Sequence, residues 1–150
     1  IILHMPVFGH LLRMIYLVRF SRSMSTLIAG GVNITASLRV SGEVINNAYY
    51  QELVEKTIEE VEGGNSISSV FMVSKEIPAM VSQMMLVGEK TGKLDAVLER
   101  ITSFYNREIT TSLAGLMSLI EPALMVLMGL GVGVMVAAIL LPMYNVVSQI

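Results

Sequence analysis

The chain has 150 residues, of which 53% are hydrophobic and 15% are charged, so it is more apolar than an ordinary soluble domain. Its 10 basic and 12 acidic residues nearly balance, which argues against the basic surface that a nucleic-acid-binding protein needs. The sequence contains no cysteine, which excludes disulfide bonds and thiolate metal sites within it.

The charged residues are distributed unevenly along the chain. All 10 lysines and arginines lie at or before Arg107, and Glu121 is the only acidic or basic residue after Glu108. We therefore expect two regions in different solvents, a mixed-charge domain in water followed by an apolar segment in a membrane. Because the chain starts with apolar residues and not with methionine, we expect it to be a piece of a longer protein.

The N-terminal part predicts one helix after an irregular stretch. Pro6 and Gly9 interrupt residues 1–9, so we expect no regular helix there. Residues 11–29 carry an apolar stripe at helical spacing, and Gly30-Gly31 ends the helix. The stripe consists of Leu12, Ile15, Tyr16, Phe20, Met24, Leu27 and Ile28, with Arg13, Arg19 and Arg22 off it.

Two further helices follow. Asn33 predicts the N-cap of a second helix over residues 34–45, and Asn46-Asn47 ends it. A third helix over residues 48–62 has one apolar and one acidic face, and Gly63-Gly64 ends it. Its predicted buried residues are Tyr50, Leu53, Val54, Thr57, Ile58 and Val61.

Three more helices complete the pattern. Ser66 caps a fourth helix that ends near residue 73, and Pro78 begins a fifth, where its missing N–H costs nothing. Gly92 ends the fifth helix after Thr91, and a sixth starts near Leu94. The predicted apolar positions are Met80, Val81, Met84, Met85 and Val87 in the fifth helix, and Leu94, Val97, Leu98, Ile101, Phe104 and Tyr105 in the sixth. Six helices joined by short turns predict an all-α fold, an antiparallel six-helix bundle.

The apolar segment predicts a transmembrane helix. Residues 123–141 contain no charge and would extend roughly 28 Å as a helix, about the thickness of the hydrocarbon core of a bilayer. The alternative is a buried helix of a soluble protein, but the preceding domain is too small to cover it. Because Arg100 and Arg107 lie before the segment and no basic residue follows, we expect the bundle in the cytoplasm.

Glu121 and Pro122 interrupt the pattern of this segment. Pro122 either starts a new helical segment or kinks a continuous one. Two interpretations of Glu121 stay open: it marks the level of the lipid headgroups, or it pairs with another membrane subunit or protomer.

Residues that could carry chemistry are few. His4 and His10 have no metal-ligating partner at helical spacing. The sequence GEKTG at residues 88–92 lacks the first glycine and the Gly-Lys-Ser/Thr order of a phosphate-binding loop. Glu89 lies in the last turn of a helix, where a carboxylate is unfavourable, so we expect it to pack or hydrogen-bond at the turn or to contact a partner. We predict no catalytic residue, no cofactor and no metal site.

Residues 87–95 match the pattern Val-Gly-Glu-x-x-Gly-x-Leu-Asp. With this signature the chain resembles the C-terminal half of the GspF/PilC family, the inner-membrane platform proteins of type II secretion systems and type IV pili. Asn33 stands where the family usually has proline. The other matching positions are Pro6-Val7-Phe8-Gly9, Val18-Arg19-Phe20-Ser21-Arg22, Gly31-Val32, Gly64-Asn65-Ser66, Pro78, Glu121-Pro122 and Pro142-Met143-Tyr144.

The resemblance implies a division of the chain into four parts. Residues 1–10 would be a juxtamembrane linker, 11–112 a cytoplasmic helical F domain, 113–144 a helix running into and across the membrane, and 145–150 a short extracytoplasmic tail. The full-length protein would cross the bacterial inner membrane several times. The residues that the resemblance marks as structural or interaction candidates are Arg19, Phe20, Gly88, Glu89, Gly92, Leu94, Asp95, Glu121 and Pro122.

The function that the resemblance implies is mechanical and not enzymatic. A platform protein would couple a cytoplasmic assembly ATPase to the extraction and polymerisation of pilins, as a homo-oligomer in contact with lipid and other inner-membrane assembly proteins. The Pro-Met-Tyr ending favours a pilus over a secretion system. Two alternatives are a membrane-tethered receptor or sensor, which predicts a small-molecule pocket between helices, and a membrane enzyme or transporter, which predicts more polar groups inside the span.

Overall fold

The computed structural model describes the backbone of residues 6–147 and the side chains of residues 9–144. His4 and the rest of residues 1–5 lie outside this range, as do residues 148–150 of the predicted tail. The described residues contain no strand and form α1 (Pro6–Ala29), α2 (Ile34–Val44), α3 (Ala48–Glu62), α4 (Ile67–Val73), α5 (Ala79–Thr91) and α6 (Leu94–Val147). The predicted all-α fold is confirmed.

Local signals set most helix ends. The Asn33 Oδ1 atom accepts a hydrogen bond from the Ala36 N–H at 2.8 Å and caps α2. The Asn47 Oδ1 atom likewise accepts from the N–H groups of Tyr49 and Tyr50 and caps α3. At the other end, α1 and α3 stop at glycines with positive φ, Gly31 at 84° and Gly64 at 92°. These ends lie within one residue of the predicted ones.

The start of α1 corrects the sequence prediction. The stretch from Pro6 to Gly9 was expected to be irregular, but α1 already begins at Pro6. Proline is well tolerated as the first residue of a helix, because the N–H that it lacks has no intrahelical partner there. His10 therefore lies on a helix, with its side chain exposed. Pro78 was predicted to be the first residue of α5, but it is the cap residue that precedes the helix, which begins at Ala79.

The core of the bundle contains residues from all six helices. Consecutive helices pack together from α1 to α5, and the first turns of α6 complete the cluster. Among its most deeply buried side chains are Leu17, Met24, Leu38, Ile45, Ile67, Met85, Leu98 and Ile101.

The buried faces of α1 and α5 differ from the predicted stripes. In α1 the core side chains include Met14 and Leu17, each 2% exposed, whereas the predicted Leu12 and Ile15 are only half-buried. In α5 the predicted Val87 is 56% exposed. The buried positions of α5 are Val81, Ser82, Met85 and Gly88. Both helices carry apolar residues on more than one side, so spacing alone does not select the buried face.

The chain divides into two compact units, Ile1–Thr110 and Thr111–Ile150. The first unit contains the bundle, and the second contains the apolar part of α6. Pro122 and Pro142 both lie inside α6, which is helical on either side of them. Pro122 therefore does not start a new helical segment.

Candidate functional site

Glu89, near the end of α5, contacts the first turn of α4. Its Oε1 atom accepts a hydrogen bond from the Ile67 N–H at 2.5 Å, and its Oε2 atom accepts one from the Ser68 N–H at 3.0 Å. The first N–H groups of a helix have no intrahelical partner, and α4 has no acidic residue in its own first turn. The carboxylate of Glu89 satisfies two of these groups and lies at the positive end of the helix dipole.

Ser66 completes the start of α4. Its Oγ atom accepts a hydrogen bond from the Ser69 N–H at 3.2 Å. Ser66 and Glu89 together provide acceptors for the N–H groups of the first three residues of α4. A helix of 7 residues is too short to be stable by itself, so α4 depends on its packing in the core and on this contact with α5.

Gly88 and Gly92 form the corner between α5 and α6. Gly92 has φ 67° and ψ 19°, the left-handed conformation that glycine adopts without a steric penalty. The N–H groups of Gly92 and Lys93 both donate to the Gly88 carbonyl, which ends α5. A Cβ atom at Gly88 would lie 3.1 Å from the Val97 Cβ atom and 3.2 Å from the Leu94 Cα atom. Gly88 therefore allows α5 and α6 to approach closely.

The remaining predicted residues of the bundle take structural positions around this corner. Leu94 is 6% exposed in the core, and the Asp95 carbonyl accepts a hydrogen bond from the Ser25 Oγ atom of α1 at 3.0 Å. Phe20 is 5% exposed, and its ring centroid lies 5.9 Å from that of Phe71 in α4. Arg19 is exposed and lies off the buried face of α1.

A second polar contact was missed from the sequence. The Arg13 Nε atom lies 2.9 Å from the Glu76 Oε2 atom, and this ion pair joins α1 to the connection between α4 and α5. Tyr50 is buried nearby, and its burial, together with the negative charge of Glu76, raises the pKa of its hydroxyl. No local pattern predicts a pair so far apart in sequence.

The bundle offers little space for a small molecule at its centre. A cavity among the core residues of α1, α3 and α4, including Tyr16, Phe20 and Tyr50, measures about 10 Å³. Ligand pockets are usually about 300–1,000 Å³. Larger spaces of about 220 and 290 Å³ lie on the two sides of α3, but both are open grooves. Among the described residues no group of three His, Asp or Glu side chains could hold a metal ion.

The apolar part of α6 is uncovered. It is the one helix among the described residues that is long and apolar enough to cross a membrane, with a mean hydropathy of 2.7 over its most apolar window. None of this window is buried, whereas the core helix of a soluble protein would be mostly buried. Glu121 is exposed on this helix and lines a shallow groove with Met117, Ile120, Leu124, Met125 and Met128.

Comparison with known protein families identifies the chain. The family model described as type II secretion system (T2SS), protein F, matches residues 20–142. The chain belongs to the protein F family. This confirms the resemblance that residues 87–95 carry, and in this chain those residues form the corner between α5 and α6.

Relatives of this chain are named for pilus assembly and for secretion. It is 34% identical to the type IV pilus assembly protein PilC of Thermus thermophilus, over 99% of this chain and 37% of the relative. It is 34% identical to the PilC of Myxococcus xanthus, over 100% of this chain and 36% of the relative. It is 30% identical to the type II secretion system protein F of Aeromonas hydrophila, over 100% of this chain and 39% of the relative. The chain thus spans little more than a third of each.

Proposed function

We propose that this chain is part of an inner-membrane platform of a type IV pilus, and that its helical bundle lies in the cytoplasm. The observation that carries the proposal is the family match over residues 20–142, which includes most of the bundle and most of the apolar part of α6. Five relatives named for pilus or fimbrial assembly are 29–34% identical to the chain and three named for type II secretion are 25–30% identical, and this range favours a pilus.

The proposed role is to transmit force, without catalysis. A cytoplasmic assembly ATPase would move the bundle, and α6 would carry this movement into the membrane, where pilins are extracted and polymerised. The continuous helical backbone of α6 from Leu94 to Val147 supports this role. Several polar side chains of the bundle, among them Glu89 and Asn47, form hydrogen bonds within the protein, which also favours a structural role.

The proposed partners are the ATPase, pilins, other inner-membrane assembly proteins, membrane lipid and further copies of the protein. In the full-length protein we propose several membrane spans. A cytoplasmic partner can be captured from exposed residues of α5 and of the first turns of α6, such as Val87 and Arg100.

Deletion and complementation test the function. Loss of the full-length gene should remove surface pili, and the intact gene should restore them. If the deletion strain instead keeps its pili and loses protein secretion, the chain belongs to a secretion system. If it keeps both, the platform role is wrong.

A stiffness test addresses the mechanism. Four glycines inserted after Ser112 should abolish pili without changing the amount of protein in the membrane, because glycine is a poor helix former. Four alanines at the same place shift the helix by the same length but keep it helical, so this variant should assemble more pili than the glycine variant. Equal pilus numbers in the two variants would contradict force transmission through α6.

Crosslinking tests the proposed ATPase contact. A photoreactive side chain at Val87 or Arg100 should capture the assembly ATPase in living cells, and one at Val40 of α2, 44% exposed, serves as the matched position on another helix. Capture from Val40 alone would place the contact on α2 instead of α5 and α6.

A further inference from the structure

Glu121 lies inside an apolar surface and not at its edge. Leu113, Met117 and Ile120 precede it with exposed fractions of 45%, 71% and 54%. Leu124 and Met128 follow it with 55% and 71%. If lipid headgroups began at Glu121, the apolar helix surface before it would stand in water, which is unfavourable. The apolar surface therefore continues on both sides of the carboxylate.

The position leaves the carboxylate far along α6 from the other charged residues of this helix. The nearest of these in sequence is Glu108, which is 13 positions earlier and therefore about 20 Å away along the helix. A carboxylate within an apolar segment is costly unless it is paired, and such residues usually face another helix of the same protein or assembly. A glutamate side chain is also too short to reach distant headgroups as lysine and arginine do.

The sign of the charge restricts what can cover this face. Two copies of α6 that met through the groove around Glu121 would bring two carboxylates together, and like charges in an apolar site disfavour each other. A helix that presents lysine or arginine has the complementary charge, and arginine can bind both carboxylate oxygens at once. The charge therefore favours a basic helix over a second α6 as the occupant.

We propose that Glu121 forms an ion pair with a lysine or arginine on another membrane helix of the same full-length polypeptide. The relatives are more than twice as long as this chain, since it spans 36–39% of them, and this length leaves room for further helices. A helix of the same polypeptide would be available wherever α6 is inserted, so the carboxylate would not be left unpaired in the lipid. This proposal rests on the proposed membrane location of α6.

Substitutions of Glu121 in the full-length protein provide the first test. E121K places two positive charges together and should lower the amount of folded protein in the membrane at least about tenfold. E121Q keeps a hydrogen-bonding group and should lower it less. L119K adds a lysine to the opposite side of α6 at nearly the same depth, where the long side chain can extend toward the headgroups, so it should be tolerated better than E121K. If E121K is as abundant as the parent protein, Glu121 faces water or headgroups and the proposal is wrong.

Charge reversal identifies the partner. Each lysine or arginine in the other membrane spans of the full-length protein is changed to glutamate in the E121K background. One such change should restore the folded protein to near its parental amount, because it recreates the ion pair with the charges exchanged. If E121K is unstable and none of these changes restores it, the partner does not belong to the same polypeptide and the proposal is overturned.

Disulfide formation tests whether a second copy of α6 lies against the Glu121 face. This chain contains no cysteine, so a cysteine at Met128 on the Glu121 face and one at Leu130 on the opposite face can be compared in a full-length protein without other cysteines. The proposal expects no Met128→Cys dimer above the level of Leu130→Cys. A strong Met128→Cys dimer would show a second α6 on this face and overturn the proposal. All three readouts are amounts and crosslinks of the protein in the membrane, so they stand apart from pilus formation and the proposed function.

Discussion

Glu89 is the residue on which the start of α4 depends. It is in the last turn of α5, where its charge opposes the helix dipole, yet its two oxygens accept the N–H groups of Ile67 and Ser68. The unfavourable position in one helix is offset by a favourable position at the N-terminus of another. The glutamate therefore links α4 to the corner formed by Gly88 and Gly92.

Removal of this carboxylate should loosen α4. E89A leaves two partly buried N–H groups without their acceptors and should lower the free energy of unfolding by about 1–3 kcal/mol. The exposed Glu99 of α6 provides the control, because E99A should change the free energy of unfolding by less than about 0.5 kcal/mol. Hydrogen exchange of the detergent-solubilised protein should show faster exchange at Ile67 and Ser68 in E89A only. Equal exchange in the two variants would contradict the cap.

Tyr50 should make the bundle sensitive to alkaline pH. Burial and the neighbouring Glu76 raise the pKa of its hydroxyl in the folded protein, whereas an unfolded tyrosine ionises near its ordinary pKa of about 10. Above that pH the unfolded state loses the proton while the folded state keeps it. The stabilising contribution is therefore complete below about pH 10 and decreases as the pH rises above it.

The variant Y50F should reduce this alkaline loss. The denaturant midpoint should fall less between about pH 9 and 11 in Y50F than in the parent, because phenylalanine does not ionise. A smaller decrease should remain from Tyr105, whose pKa is also raised by burial and by Glu108. Y49F provides the control, since Tyr49 is 46% exposed, and it should follow the parent. Identical pH profiles of Y50F and the parent would show that the alkaline loss of stability does not come from Tyr50.

The close approach of α5 and α6 depends on the missing side chain at Gly88. G88A would place a Cβ atom within 3.1 Å of the Val97 Cβ atom, and crowding of this kind costs about 1–3 kcal/mol. This cost of crowding is at least as large as the gain in helix propensity from glycine to alanine, which is about 1 kcal/mol. We therefore expect G88A to lower the thermal midpoint. In the double variant G88A/V97A the two effects should be less than additive, because V97A makes room for the new methyl group.

Gly115 gives the matched control for this prediction. A Cβ atom there would have no neighbour within 4 Å, so G115A gains helix propensity without crowding and should be neutral or slightly stabilising. Additive effects of G88A and V97A would mean that the two residues do not compete for the same space.

Helix ends could be predicted from the sequence because they are set by neighbours along the chain. The Asn33 side chain needs only the N–H three residues later, and Gly92 needs only the carbonyl of Gly88. The six helices and their order were therefore predicted from the sequence. Pro6 is the exception, since proline both breaks helices and starts them, and the sequence does not distinguish the two cases.

Buried faces and the partner of Glu89 required the three-dimensional structure. The helices α1 and α5 have apolar residues on several sides, so the neighbouring helices decide that Leu17 and Met85 are buried and Val87 is exposed. Glu89 is 22 residues from Ile67, and no spacing rule connects them. The one local signal was the mismatch of an acid in a last helical turn, which indicated a missing partner but not its identity.

The two units of the chain differ in how they meet their solvent. In the described part of Ile1–Thr110 one cluster of apolar side chains is buried, and most of the charged side chains are exposed. In Thr111–Ile150 most of the large apolar side chains of the described part are exposed, among them Leu124, Val132 and Leu141. An exposed apolar surface of this length is unfavourable in water and favourable in lipid, so the two units require different surroundings.

A charge within the apolar part of α6 tests whether lipid surrounds it. V132R places an arginine in the middle of the segment, which should cost about 2.5–3.5 kcal/mol for insertion into a bilayer. Y144R places the same residue near the end of the segment, where its side chain can extend to the headgroups at a lower cost. After alkaline carbonate extraction of residues 1–150 expressed without the rest of the protein, V132R should therefore be found in the soluble fraction more than Y144R and the parent. The bundle should stay folded in all three, because the substituted residues belong to the other unit. Equal membrane retention of the two arginine variants would mean that residue 132 does not lie in hydrocarbon, and the division of the chain into an aqueous unit and a lipid-embedded unit would have to be abandoned.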